Sequence, residues 1–159
     1  MRTPASIAGH PIHPMIVPLA IGGFVFSFVF DIVCLATGAK DPWSTVAFYT
    51  MIGGIVAALA AAVPGLIDLL SLKGYTQKVA LTHMGINLTV VGLFAVNAWM
   101  RYSSPDTLKI PMWLSLIGIL LLLVSGWLGG KMVFEAGVGV DTAATEPAPQ
   151  PSGNRPVPG

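Results

Sequence analysis

Residues 13–31 read HPMIVPLAIGGFVFSFVFD and residues 83–101 read HMGINLTVVGLFAVNAWMR. Each segment opens on a histidine and closes on a charged residue 18 positions later, with Phe24 matching Phe94 and Ser27 matching Asn97 between them. At a rise of about 1.5 Å per helical residue the histidine and the charge lie about 27 Å apart, close to the thickness of a bilayer's hydrocarbon. If both segments are membrane helices running in the same direction, an imidazole pair sits near one membrane face and Asp31 and Arg101 sit near the other.

The rest of the chain supports that reading. Of 159 residues, 54% are hydrophobic and 9% charged, too few charges to wet the surface of a soluble domain. Four runs are long enough to cross a membrane as helices, at 15–37, 45–70, 79–100 and 112–134. A spanning backbone must satisfy its own hydrogen bonds, and these runs lack the alternation of barrel strands, so they are helices. The first run is too long for a secretory h-region, no cleavage pattern follows it, and it is expected to be retained.

The links between runs are short and carry turn residues: Asp41-Pro42, Lys73-Gly74 and Ser104-Pro105-Asp106. Consecutive helices therefore pack antiparallel, and the expected fold class is an all-α integral membrane four-helix bundle, up-down-up-down. Residues 1–14 read as a His-Pro lead-in, residues 15–134 as the membrane domain, and residues 135–159 as a Pro/Ala/Gly-rich disordered tail. Sliding the third helix onto the first by 70 positions pairs His13 with His83, Ile16 with Ile86, Gly22 with Gly92, Phe24 with Phe94, and Asp31 with Arg101. Val63-Pro64-Gly65 echoes Val124-Ser125-Gly126. Together these predict two related hairpins about an axis along the membrane normal.

Lys and Arg near the helix ends favour both termini in the cytoplasm: Arg2, Lys73, Lys78 and Lys131 on one side against Lys40, Arg101 and Lys109 on the other. A net charge of +1 without a basic run argues against a nucleic-acid partner. Trp43, Trp99 and Trp113 fall near one boundary, where indoles anchor at headgroup level. Cys34, the only cysteine, rules out an intramolecular disulfide or a CxxCH haem attachment. No nucleophile-base pair, phosphate-binding glycine loop or zinc-protease motif is present, so no catalytic residue is assigned and the chain is not expected to be an enzyme by itself.

Polar residues inside a span are costly without partners. His83, Asn87, Asn97 and Arg101 share one face of the third helix, and His13, Ser27 and Asp31 share one face of the first. At the histidine end, Gly9-His10-Pro11-Ile12-His13-Pro14 approaches the membrane as Asp68 ends the second helix. The residues expected to hold a cofactor are His13 and His83, with His10 as alternate ligand, Asp68 accepting the second N–H of His83, and Asn87 close by. The cofactor is haem b or a transition metal on those histidines, with Phe24, Phe94 and Trp127 as apolar walls. At the other end Asp31, Arg101 and Asn97 form a structural lock or a proton relay. Small-residue stripes on the second helix (Gly53, Gly54, Ala57, Ala58, Ala61, Gly65) and on the fourth (Ser125-xxx-Gly129, Gly126-xxx-Gly130) predict close helix contact within the bundle or in a homo-oligomer.

Gly9-His10-Pro11-Ile12-His13-Pro14, Phe30-Asp31, Pro64-Gly65-Leu66-Ile67-Asp68, His83 with Asn87, and Ser125-Gly126-Trp127-Leu128-Gly129-Gly130 together resemble the bacterial membrane family catalogued as domain of unknown function 2231, over roughly residues 8 to 140. The resemblance implies a four-helix protein of the bacterial inner membrane. Some relatives carry Rieske-type or cytochrome-like modules, which implies respiratory or other redox membrane proteins as partners, although this sequence has no such module. The expected function is accordingly a haem- or metal-binding subunit of membrane electron transfer. The alternatives are a non-catalytic membrane scaffold, in which the same residues lock helices, and a small proton or ion conduit.

Overall fold

The computed structural model describes residues 3–104 and 109–140. A short hairpin of β1 (Ser6–Ile7) and β2 (His10–Pro11) precedes α1 (Ile12–Thr37), α2 (Trp43–Ser71), α3 (Gly74–Ser103) and α4 (Lys109–Phe134). All four helices are long and apolar enough to cross a membrane, as an all-α membrane bundle requires. Arg2, Pro105, Asp106 and the tail from residue 141 lie outside the described residues.

Helix ends run past the apolar runs, for physical reasons. α1 starts at Ile12, so His13 and Pro14 lie in its first turn rather than in an extended lead-in, with Pro11 as the N-cap. A proline is tolerated there because the first amides of a helix have no intrahelical acceptor. α3 starts at Gly74, and its polar opening Tyr75-Thr76-Gln77-Lys78 stays helical at headgroup depth, leaving only Leu72 and Lys73 as the link from α2. The lead-in pairs Ser6 with Pro11 and Ile7 with His10, and turns through Ala8 and Gly9, both at positive φ.

The residues after α4 correct the expectation of a disordered tail from 135. The amides of Glu135 and Val138 bond back to the carbonyls of Lys131 and Met132 at 3.0 Å. Val138 packs with Met84 and Met132 on Leu69, Leu72 and Ala80, which closes the histidine end of the bundle. Gly139 lies against Pro11, where an added Cβ would stand 3.3 Å from the proline Cγ.

α1 packs most closely on α2, and α3 on α4; α2 with α3 and α1 with α4 complete the ring. α1 and α3 are therefore diagonal, and they meet through side chains along the bundle axis. Their inward residues recur in a heptad-like rhythm, at 13, 17, 20, 24, 27 and 31 on α1 and at 83, 87, 90, 94, 97 and 101 on α3. The densest part holds Phe24, Met51, Val90, Phe94 and Ala98, all buried. α1 and α2 approach closely at Gly23, where a Cβ would lie 2.6 Å from the Cα of Gly54.

Candidate functional site

Three layers of paired residues occupy the seam between α1 and α3. In the first, the rings of His13 and His83 stand 6.4 Å apart, centre to centre, with their planes 81° to each other. Neither ring turns to a carboxylate. His13 Nδ1 lies 2.8 Å from the carbonyl oxygen of Ala61 on α2, and His83 Nδ1 lies 2.9 Å from that of Ser125 on α4 and 3.0 Å from the Ser125 Oγ. A carbonyl can only accept, so each Nδ1 carries the proton and donates it outward. Neither Nε2 has a hydrogen-bond partner among the described residues, and in the neutral ring with Nδ1 protonated it carries the lone pair.

Glycines make this possible. A Cβ on Gly65 would stand 2.7 Å from His13 Nδ1, so only a glycine lets the imidazole lie on the α2 backbone and reach Ala61 one turn earlier. Gly129 plays the same part beneath His83 with more room, at 3.5 Å. In the second layer Phe24 and Phe94 stack face to face at 4.0 Å, held between Gly54 and Gly118. In the third, both nitrogens of the Arg101 fork meet both oxygens of Asp31 at 2.6 Å. Arg101 Nε donates to Asn97 Oδ1 at 2.7 Å, and Asn97 Nδ2 donates to the Pro111 carbonyl and to Ser115 Oγ at 2.7 and 2.8 Å. Asp31 and Asn97 are fully buried.

Asp31, Arg101 and Asn97 thus come together as expected, and so do His13 and His83. The other expected members do not join them. Asp68 accepts the amide of Ala5 at 2.9 Å and anchors the lead-in hairpin; it is not the acceptor for His83, because the Ser125 carbonyl takes that N–H. His10 sits exposed in β2 with its Nδ1 3.0 Å from the Ala8 carbonyl, one strand away from the seam. Asn87 shares the seam but turns its amide back to the His83 carbonyl at 2.9 Å, a bond within its own helix. Phe24 and Phe94 cover each other rather than walling a cofactor, and Trp127 is 78% exposed on the outer face. An added Cβ on Gly126 would meet nothing within 4 Å and one on Gly130 only Phe134 of the same helix, so among the described residues this stripe faces no other helix, whereas Ser125 and Gly129 face His83.

Sequence reasoning marked Ala61, Gly65, Ser125 and Gly129 as packing residues, but their roles as acceptors and seats of the imidazoles escaped it, although a signal existed. Gly54 and Gly65 are 11 positions apart, as are Gly118 and Gly129, His13 and Phe24, and His83 and Phe94. The contacts relate α2 to α4 by an offset of 64, pairing Gly54 with Gly118, Ala61 with Ser125 and Gly65 with Gly129, instead of the offset of 61 that the Val-x-Gly echo suggested.

Four spanning helices around a polar, internally paired seam define an integral membrane helical bundle. The chain belongs to the family described as predicted membrane protein (DUF2231), whose model matches residues 9–142. No curated protein and no solved structure matches it.

Proposed function

We propose that the chain is a haem-binding subunit of membrane electron transfer, in which His13 and His83 would hold one b-type haem. The observation that carries the reading is the orientation of the imidazoles. Both donate Nδ1–H to a backbone carbonyl of the neighbouring helix, the partner an axial histidine ordinarily uses to fix its tautomer and raise its basicity. Both therefore offer a neutral Nε2, and two acceptors cannot satisfy each other. An ion between them would satisfy both at once.

The spacing fits as well. Two metal–nitrogen bonds of about 2.0–2.1 Å, with about 1 Å from each nitrogen to its ring centre, would span about 6.1 Å, close to the 6.4 Å between the ring centres. The donor set favours haem over a bare ion. No group of three or more His, Cys, Asp or Glu stands together among the described residues, while a structural or catalytic ion commonly takes at least three protein ligands. A porphyrin brings four nitrogens of its own and needs two from the protein. When bound, the haem would supply one-electron chemistry; the chain's part is to orient the ligands, exclude water and set the potential through the carbonyl hydrogen bonds. His13, Val17, His83 and Asn87 are only half-buried, in contrast to the sealed layers from Ala20 and Val90 onward, which leaves the histidine end the more accessible part of the seam.

The test is the visible spectrum of the full chain purified from a haem-replete membrane. A Soret band of a six-coordinate haem is expected, lost or converted to a five-coordinate form in either His13→Ala or His83→Ala while the helices stay folded. A colourless, folded wild-type protein would refute the reading and leave the seam as a helix lock, the role of a scaffold. The stacked Phe24 and Phe94 stand between the two polar layers, which counts against a continuous proton or ion path.

A further inference from the structure

Ser27 lies on the seam one helical turn from Asp31, fully buried, and its hydroxyl has no hydrogen-bond partner among the described residues. Other hydroxyls of the helices have partners: Ser115 Oγ accepts Asn97 Nδ2 and Ser125 Oγ lies 3.0 Å from His83 Nδ1. Thr50, Thr89 and Ser103 each bond a carbonyl four residues back in their own helix, at 2.8, 2.9 and 2.8 Å. Ser27 does not, and a hydroxyl stripped of water in an apolar core costs free energy unless something meets it.

The repeat shows what should meet it. Ser27 holds the place of Asn97, and at the α2 offset Ala47 holds the place of Pro111. Asn97 bridges its hairpin with its carboxamide: Nδ2 donates to the Pro111 carbonyl while Oδ1 accepts from Arg101. Serine is shorter than asparagine by about one non-hydrogen pair, roughly the reach of one water molecule. The Ala47 carbonyl already accepts Thr50 Oγ1 at 3.1 Å, so the acceptor left to Ser27 is Asp31, one helical turn on, each of whose oxygens takes a single bond from Arg101. Asp31 and Arg101 cancel each other's charge there, so the site takes a neutral ligand; a second ion would meet no net countercharge in a low-dielectric interior.

We infer that Ser27 and Asp31, one helical turn apart on α1, hold one buried water molecule between them. A buried water suits a site with two to four polar partners. The bound water hydrates Asp31 from within the bundle, on the side away from Arg101.

Three variants of the full chain in detergent micelles decide the matter, read by thermal unfolding and by a structure that resolves ordered water. If the water is there, Ser27→Ala removes one of its anchors and lowers Tm by about 2–4 °C. Ser27→Asn replaces the water with its own amide and keeps Tm within about 1 °C of wild type. The control Cys34→Ala, elsewhere on the same helix face, should leave the water in place. If the hydroxyl is merely unpaired, Ser27→Ala removes a cost and raises Tm. If Met51, the counterpart of Ser115 and itself fully buried, already fills the space, Ser27→Asn is overpacked and lowers Tm. Either of these results, or density showing the hydroxyl turned to the Gly23 carbonyl with no water beside it, overturns the inference.

Discussion

Breaking the Asp31–Arg101 pair should destabilise the bundle strongly, and unequally according to which partner is removed. The pair is bidentate at 2.6 Å, with Asp31 0% and the Arg101 side chain 8% exposed. Removing one member of a buried pair strands the other charge and typically costs about 3–5 kcal/mol. At about 2–4 °C per kcal/mol for a chain of this size, Tm should fall by roughly 6–20 °C. Depth decides the order. Arg101 sits two residues from the end of α3, and in Asp31→Leu its long stem can carry the guanidinium to the interface while Nε keeps Asn97. Asp31 lies six residues inside α1 on a short stem with no such escape, so Arg101→Met should fall at the severe end and Asp31→Leu at the mild end. In the double variant neither charge is stranded, and stability should recover to within about 1–2 kcal/mol of wild type, a coupling of at least about 4 kcal/mol because the two single losses together reach about 6–10 kcal/mol. Thermal unfolding followed by circular dichroism in one detergent measures all four proteins. Additive losses in the double variant, or single variants within about 0.5 kcal/mol of wild type, would refute the reasoning.

The glycines give sharper local expectations. Gly65→Ala drives a methyl into the His13 ring and should detach it from Ala61, which would show as a changed haem spectrum or, in haem-free protein, a changed imidazole NMR shift; Gly129→Ala, with 3.5 Å to the nearest ring atom, should leave His83 nearly unmoved. Gly23→Ala meets the backbone of Gly54 and should cost more than about 2 kcal/mol in thermal unfolding, whereas Gly22→Ala enters open space and should be neutral or slightly stabilising through helix propensity. Asp68→Ala removes the acceptor for the buried Ala5 amide and should speed its hydrogen exchange about 10-fold or more, while α2 keeps its helicity.

The membrane helices were legible because hydrocarbon thickness sets their length, and the diagonal α1–α3 seam was legible because opposed polar residues recur at one offset. His13 with His83 and Asp31 with Arg101 followed from that offset alone. The partners of the imidazoles did not. A backbone carbonyl has no residue type, so nothing in the composition marks Ala61 or Ser125 as acceptors, and the one nearby carboxylate, Asp68, drew an assignment that the Ala5 amide had already taken. Helix ends were misjudged for a related reason. Apolar runs measure hydrocarbon, but a helix continues through the headgroups where Tyr75, Gln77 and Lys78 keep good helical geometry without being apolar. The folding of residues 136–140 onto Pro11 and Leu72 depends on contacts remote in sequence, which a Gly-rich composition conceals.

The pairing of like with like separates the layers by their chemistry. Each seam residue of α1 faces the α3 residue 70 positions on, and where the two are identical the layer persists only if the residue complements itself. Two phenylalanines do so by stacking. Two aspartates or two arginines at one buried layer could not, and there the copies differ as Asp31 and Arg101; beside them Ser27 and Asn97 differ in size, as do Met51 and Ser115 on the flanking helices, so that volume is exchanged between hairpins. Two histidines with both Nδ1 atoms already donating are, as lone pairs, no more self-complementary than two carboxylates. On the proposed reading a third body takes both lone pairs, and a metal centre is such a body, gaining from two identical ligands. Replacing one of them with a hydrogen-bond donor separates the explanations: His83→Gln, whose amide can donate directly to His13 Nε2, should match or exceed wild-type stability if the seam is only a helix lock. If the pair exists to hold haem, the same variant should lose the six-coordinate spectrum without gaining stability over the haem-loaded protein.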